Sequence, residues 1–411
     1  MISIRKGGVV LALAGAALIA PGPAGAAAKP HPTKAVSTVL HWYDLTNQTV
    51  KAANYPEPVT QSRAWSVSWL AAARAVDQGH NASFQKAAFS EALHDTLASV
   101  IPSQKKTLDA ALSKTLAQIP NGKVKQQGIA AGKKQAKATL AQRAKDGLDT
   151  ASVDAPFTPP APAPGVWQPT PPTYAKAVRS AQGKAKPFIL KSGAQFDPGP
   201  PPSLTSKTYL DGLAEVRSYG AANSTVRTPA QTDVAKFWEP AINIQEVQLV
   251  RGVLAGEHGK SLSWQSRFVA AFNVVTTDAQ IAVYHAKYKY LFWRPVTAIR
   301  TGSVSPDPSW TPFFTTPAYP DWVSGHGGVA GSAQAVLTAF VGPNAPAPIK
   351  VTSPNDPGVT HTYRNWAAVS DEVTNARVWE GIHFRFSDVT AAKLGKTVAG
   401  YDLKRLKAIG L

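Results

Sequence analysis

Three short segments carry the residues that could support chemistry together: two histidines, three cations and small hydrogen-bond donors. They are Lys287 and Arg294 in KYKYLFWRP, Ser324, Gly325 and His326 in DWVSGHGG, and Arg377 and His383 in NARVWEGIHFRFSD. Fixed cations beside short donors suit a tetrahedral or bipyramidal oxyanion, because arginine forks match its oxygens and charge-assisted hydrogen bonds are strong. The three segments therefore predict an oxyanion site.

A helix start is the element that must present the second segment. The stretch DWVSGHGGVAGSAQAVL, residues 321–337, places glycines directly before a run typical of a helix. Free N–H groups and the helix dipole favour an anion there, and glycines let the backbone approach it. Taken alone, the stretch also fits a glycine-rich turn before a helix, with His326 packed or solvated.

The first segment is predicted to be the end of a helix. Lys287 and Arg294 are seven residues apart, which is two helical turns, so one helix would let both side chains lean to the same side. We expect this helix to continue to Arg294 and to end at Pro295.

The rest of the chain predicts a mainly α protein. Residues 35–147 show helical spacing of apolar residues, with breaks at 55–56, 79–81, 101–102 and 120–122, and helical patterning returns after Leu204. Between them, residues 156–202 are rich in proline, which excludes regular helix. Aromatic residues in this stretch indicate a belt laid over a helical surface rather than a free linker.

The N-terminus resembles a secretory signal peptide. A basic start at Arg5 and Lys6, an apolar run from Val9 to Ala20 and small residues near Ala26 predict cleavage near Ala26 and a protein outside the cytoplasm, extracellular or periplasmic. We therefore expect a leader at 1–26, an N-terminal helical region at 27–150, the belt at 151–203 and a catalytic helical region at 204–411. No later segment suggests a membrane span.

Composition limits the classes of function. The chain has no cysteine, which excludes a disulfide framework, and its single methionine is Met1, so residues 27–411 contain no sulfur. Such a chain resists strong oxidants, although compositional drift explains the same fact. The net charge of +18 favours anionic partners. The basic stretch 105–145 contains no aromatic residue, which argues against nucleic-acid binding.

In order and spacing, the three segments resemble the signature of the vanadium-dependent haloperoxidase and type 2 phosphatidic acid phosphatase superfamily. Further likeness in GVWQPTPP and PPPSLTSKTYLDGLAEVRSYG extends the resemblance over most of residues 27–411, and it points to the secreted bacterial haloperoxidase-like branch. The resemblance implies helical bundles of the vanadium haloperoxidase and acid phosphatase type.

The resemblance also implies a role for each candidate residue. His383 would be the metal ligand, binding vanadate at its axial position, and His326 the acid–base group; both are the expected catalytic residues. The remaining residues would hold the oxygens of vanadate, or of phosphate at the same site: Lys287, Arg294, Ser324, Gly325 and Arg377. Tyr284 and Tyr319 fall where the family has aromatics near the halide, but packing is the expected role of each.

The sequence departs from the family pattern at three places, the least of which is Ala376, where a serine usually precedes the arginine at position 377. Val323 stands where proline usually precedes the serine. Ser387 stands where an aspartate usually orients the ligand histidine, and Asp388 is one residue further on. In a helix Asp388 would point away from His383, so Ser387, a backbone carbonyl or a distant carboxylate must orient the imidazole.

The favoured function is a vanadium-dependent haloperoxidase, a peroxidase that oxidises halide with hydrogen peroxide to a hypohalous acid equivalent. One alternative is a phosphate-ester hydrolase that forms a phosphohistidine at the same site. The other is a non-catalytic basic protein that binds anionic cell-wall polymer. The halide preference, the organic acceptor and the oligomeric state are left open.

Overall fold

The mainly α class is confirmed by a computed structural model, which describes residues 37–411. The predicted leader, residues 1–26, lies outside the described residues. Residues 37–411 form one compact unit, so the division into a helical region, a belt and a catalytic region stays a prediction. Within this range, no helix is both long and apolar enough to cross a bilayer.

The N-terminal helices begin where the sequence supplies starting residues. Ser37 and Asn81 cap their helices through side-chain oxygens that accept backbone N–H groups, and Pro58 occupies a first turn. The predicted breaks all fall between helices. The bounds are α1 Thr38–Ala53, α2 Pro58–Val76, α3 Ala82–Val100, α4 Lys105–Ala117, α5 Lys123–Gln142 and α6 Thr150–Val153.

The second half is also helical, with one small antiparallel sheet. Its long central helix, α10, packs against α2, α12 and α14 and is buried over most of its length. The bounds are α7 Lys207–Tyr219, α8 Pro229–Trp238, α9 Asn243–Gly256, α10 Leu262–Tyr290, α11 Pro295–Thr301, α12 Gly325–Val341, β1 Asn344–Thr352, β2 Thr360–Asn365, α13 Trp366–Trp379 and α14 Arg385–Leu403.

The proline-rich segment contacts α10 through backbone hydrogen bonds. Both carboxylate oxygens of the buried Asp278 accept backbone N–H groups of the belt, from Phe188 at 2.7 Å, Ile189 at 2.8 Å and Leu190 at 3.0 Å. Trp167 is fully buried. Prolines have no backbone N–H group and cannot donate to neighbouring segments. Hydrogen bonds from the remaining N–H groups to α10 therefore hold this segment in place.

The helix that carries Lys287 ends earlier than predicted. It stops at Tyr290, and Leu291 takes a left-handed conformation with φ of 50°. Arg294 is extended and caps the next helix, α11, at which Pro295 is the first residue. The prediction that one helix carries both cations was therefore wrong: Pro295 opens a helix here, as its fixed φ and missing N–H allow.

Helices α12 and α14 approach each other through glycines. A Cβ built on Gly395 would lie 2.0 Å from the carbonyl oxygen of Gly328, whereas one built on Gly400 meets nothing within 4 Å. Because α12 begins at the second motif, this contact places the motif against α14.

We expect Gly395→Ala to destabilise the fold by about 1–3 kcal/mol or more, because a methyl group cannot fit against the backbone of α12. Gly400→Ala, on the same helix, is the matched control and should be neutral or stabilising by up to about 1 kcal/mol. Urea unfolding of both variants measures the difference. Equal stability of the two variants would disprove this account of the contact.

A buried acid makes stability depend on pH. Glu246 on α9 is almost unexposed, its Oε1 has no partner among residues 37–411, and burial raises its pKa to about 8. Between its ordinary pKa and about pH 8, the folded chain holds a proton that the unfolded chain has released. The free energy of unfolding therefore falls as pH rises through this window.

Glu246→Gln removes this titrating group. The fall in the free energy of unfolding between pH 5 and pH 8 should therefore be smaller than in the wild type by roughly 2–4 kcal/mol. Glu257→Gln, at the end of the same helix, keeps the wild-type slope. Thermal or urea unfolding at several pH values gives both slopes. A wild-type slope in Glu246→Gln would show that the carboxyl is ionised in the folded chain.

Candidate active site

The second motif forms the helix start that the sequence predicted. Ser324 is the N-cap of α12, and its Oγ accepts the N–H of Gly327 at 3.3 Å. Val323, at the position where the family has proline, is fully buried and leaves the cap intact. Gly325 opens the helix, and a Cβ at this residue would meet nothing within 4 Å. Open space therefore lies in front of a helix N-terminus.

Lys287 reaches the site from the last turn of α10. Its side chain is fully buried, and Nζ donates to the carbonyl oxygens of Pro320 at 2.8 Å and Asp321 at 3.0 Å. Burial, and then the charge of Arg294, hold the pKa of Lys287 well below its usual range. The two hydrogen bonds from Nζ fix the segment just before Ser324.

Arg294 joins all three motifs, although it lies outside α10. Its Nε donates to the carbonyl of Tyr319 at 2.8 Å, and Nη1 donates to the carbonyl of Ile382 at 2.7 Å. The same Nη1 is 3.0 Å from Nε2 of His383. Nη2 is buried without a partner among residues 37–411. A buried N–H group in this position suits an oxygen acceptor.

A carboxylate from the second motif orients His383. The Oδ1 of Asp321 is 2.7 Å from Nδ1 of His383, across 62 residues of sequence. A carboxylate accepts, so Nδ1 carries the proton and the neutral ring keeps its lone pair on Nε2. Among the sources that the sequence left open, a distant carboxylate holds the imidazole, and Ser387 instead donates to the backbone carbonyl of Asp321 at 3.1 Å.

Asp388 forms no hydrogen bond with His383. Its carboxylate is fully buried, neither oxygen has a hydrogen-bond partner among residues 37–411, and burial raises its pKa to about 8. The nearby Ser324 hydroxyl and Arg377 lower this pKa only in part. Asp388 is therefore protonated at neutral pH and adds no negative charge to the site.

Arg377 enters from the last turn of α13. Its Nη1 donates to the carbonyl of Trp238 at 2.9 Å and to Oε1 of Glu380 at 2.8 Å, while Nε is buried without a partner among residues 37–411. Glu380 is fully buried, and burial raises its pKa to about 8. This neighbour holds the guanidinium in place and leaves one of its N–H groups for a guest.

His326 lies on the first turn of α12. Its Nε2 is 2.9 Å from the carbonyl oxygen of Pro240, which only accepts, so Nε2 carries the proton and Nδ1 keeps a lone pair. Burial, followed by the charge of Arg377, lowers the pKa of His326 well below its usual range. The ring is therefore neutral at physiological pH and can act as a base.

The predicted residues converge electrostatically, and only some of them line open space. After burial, the charges of Arg294, Lys287 and Arg377 all lower the pKa of His383. A cavity of about 280 Å³ is lined by Gly325, His326 and Arg377. The other four candidate residues are buried and do not line this cavity: Lys287, Arg294, Ser324 and His383.

Sequence reasoning missed three residues that build the site. Asp321 stood inside the quoted DWVSGHGG segment, yet nothing in its spacing indicated that it would contact His383. Glu380 lies three residues after Arg377, a spacing at which helical side chains meet, and this signal could have found it. Arg179, in the proline-rich belt, also lines the cavity, and no sequence pattern marked it.

Comparison with known proteins supports the resemblance to vanadium haloperoxidases that the sequence motifs indicated. A family model described as the VCPO second helical-bundle domain matches residues 267–409. The chain has the vanadium haloperoxidase fold. The resemblance predicted from the sequence is thereby confirmed.

Two solved structures document this fold. A bacterial vanadium-dependent iodoperoxidase superposes with a TM-score of 0.76 at 22% identity, over 90% of this chain and 97% of the other. An apo-type bacterial vanadium-dependent chloroperoxidase superposes with a TM-score of 0.69 at 17% identity, over 86% of this chain and 95% of the other. No curated protein sequence matches the chain. At these identities the likeness establishes the fold.

The contact between Asp321 and His383 can be tested on the imidazole itself. We expect nitrogen NMR of ring-labelled protein to show His383 protonated at Nδ1 in the wild type. Asp321→Ala should shift the proton toward Nε2, because the acceptor that fixes the tautomer is gone. Ser387→Ala is the matched control and should leave the tautomer unchanged. A shift of equal size in both variants, or in neither, would contradict the assigned role of Asp321.

Proposed function

We propose that the protein is a vanadium-dependent haloperoxidase that oxidises halide with hydrogen peroxide to a hypohalous acid equivalent. The observation that carries the proposal is the row of atoms from Asp321 through His383 to Arg294, with contacts of 2.7 Å and 3.0 Å. It gives a neutral imidazole whose Nε2 lone pair faces Nη1 of Arg294, beside an Nη2 group of the same arginine that has no partner among residues 37–411. A metal oxyanion needs both a nitrogen ligand and hydrogen-bond donors.

The residues fit vanadate by the chemistry of their free groups. Arg294 Nη2 and Arg377 Nε are buried without partners among residues 37–411, and the space before Gly325 is open. The first N–H groups of α12 have no partner within the helix. His383 would hold the metal through Nε2, and the three cations, Ser324 and Gly325 would hold the oxygens. When bound, vanadate supplies a Lewis acid that makes peroxide open to attack by halide.

His326 is suited to move the proton. Its Nδ1 has a lone pair, while the carbonyl of Pro240 occupies Nε2. In this role Nδ1 takes the proton of arriving peroxide and returns it as hypohalous acid forms. Burial and Arg377 keep the pKa of His326 low in the protein alone, and a bound anion raises it toward the working pH.

The rival is a phosphate-ester hydrolase, since phosphate matches the same donors. The Nε2 lone pair of His383 also suits a nucleophile that would form a phosphohistidine, with His326 protonating the leaving oxygen. The structural neighbours named as iodoperoxidase and chloroperoxidase support the oxidative reaction first. The non-catalytic alternative has less support, because a decayed site does not need a buried imidazole oriented by a carboxylate.

The test incubates the protein with orthovanadate, hydrogen peroxide and bromide or iodide, and follows a phenol-red-type acceptor. A parallel sample receives a chromogenic phosphomonoester. We expect halogenation that requires vanadate and falls at least about a hundredfold in His383→Ala, because loss of the ligand exceeds the ten- to hundredfold cost of losing an outer hydrogen bond. His258→Ala, on an exposed turn, keeps full activity. Ester cleavage inhibited by vanadate, without halogenation, would assign the site to the hydrolase.

A further inference from the structure

The cavity beside the oxyanion site is larger than the proposed small substrates require. Its volume is about 280 Å³, whereas a water molecule occupies about 30 Å³ of the liquid. Aromatic and proline side chains form part of its wall, including Tyr284, Phe314, Pro317 and Tyr319. A space of this size and lining suits an aromatic molecule of one ring.

One wall of the cavity carries a cation that the proposed chemistry does not use. Arg179 comes from the proline-rich belt, and its Nη1 donates to the hydroxyl of Tyr284 at 2.8 Å. Its Nε is buried without a partner, and its guanidinium forms no ion pair with a carboxylate of residues 37–411. The charge of Glu57 raises the pKa of Arg179, but the two side chains form no hydrogen bond. A guanidinium of this kind has N–H groups free for an anionic ligand.

Arg179 is held in place and lies close to the oxyanion site. Its backbone N–H donates to Asp154, and its φ of 60° is left-handed. The guanidinium carbon is 5.4 Å from the centre of the Tyr319 ring, and the Lys287 ammonium is 5.0 Å from the same centre. One tyrosine ring thus contacts both cations. A ligand on Arg179 would reach toward His326 and Arg377, which line the same cavity.

Resting on the proposed function, we propose that this cavity binds the organic acceptor, an aromatic monoanion such as a hydroxybenzoate, with its carboxylate on Arg179. The acid on the cavity wall, Glu239, is engaged by the amide of Asn355. The aromatic ring lies against Tyr284 and Tyr319, directed toward the oxyanion site. Charge selects the carboxylate, and the aromatic walls select the ring.

The reaction at the acceptor balances with the proposed product of halide oxidation. Hypohalous acid and the ring give a halogenated ring and water. A carbon–halogen bond forms at the ring, the halogen–oxygen bond breaks, and the displaced ring proton joins hydroxide to form water. The ring carbon is oxidised and the halogen is reduced. Binding beside the site directs this step to the position that faces His326, instead of leaving it to diffusion.

Direct binding tests the proposal without turnover. Calorimetry measures 4-hydroxybenzoate and its neutral analogue 4-hydroxybenzyl alcohol against the full chain, with and without orthovanadate. We expect the anion to bind the wild type about tenfold to a hundredfold more tightly, since a hydrogen bond to a charged group has this value. Arg179→Gln should abolish the preference, and Arg179→Lys should restore part of it. Arg251→Gln is the matched control, because it removes an equal charge from an exposed arginine that pairs with Asp44. This variant should keep the preference for the anion.

Competition under turnover supplies the second measurement. The ratio of kcat/KM for 4-hydroxybenzoate to that for the alcohol should fall about tenfold or more in Arg179→Gln. A wild-type ratio equal to that of free hypobromous acid, or no preference in binding, would overturn the proposal. Binding that depends on Arg179, in a protein that halogenates nothing, would keep the acceptor site and refute the haloperoxidase.

Discussion

The structure depends on keeping three cations out of water and close together. Lys287 and Arg294 are fully buried and Arg377 nearly so, and desolvation of each ion costs several kcal/mol unless it is hydrogen-bonded. Backbone carbonyls supply most of these bonds: those of Tyr319, Pro320, Asp321, Ile382 and Trp238. Because each carbonyl faces a charge, these hydrogen bonds hold the loops around the site in place without a bound guest.

The buried acids leave this charge only partly compensated. Asp321 contacts His383 rather than a cation, and Glu380 pairs with Arg377. Burial raises the pKa of the third acid, Asp388, to about 8. The arginines keep N–H groups without partners. A small anion would satisfy these groups and supply the missing charge, so the cost of burying the cluster is also the source of the oxyanion binding proposed for it.

The sequence was sufficient to predict features that depend on local chemistry. Proline and glycine marked the helix breaks, Ser324 was recognisable as a cap, and the spacing of motif residues carried the family resemblance. The end of α10 was missed because Leu291, which carries no glycine signal, takes the left-handed conformation. Asp321 and Arg179 were missed as functional residues because their partners lie 62 and 105 residues away, where no local pattern reaches.

The belt explains how a segment with little regular helix can contribute to the site. Its prolines remove backbone donors, and three of those that remain, at residues 188–190, are bound by Asp278 on α10, six residues before Tyr284 on the same helix. Arg179 then meets the hydroxyl of Tyr284, and the left-handed backbone at this arginine lets its side chain leave the belt toward the cavity. The helix that carries Lys287 therefore also positions Arg179, which lines the cavity, through the hydroxyl of Tyr284. A shift of α10 would move Lys287 and Tyr284 together, and with Tyr284 its partner Arg179, so the cavity and the oxyanion site rest on the same helix.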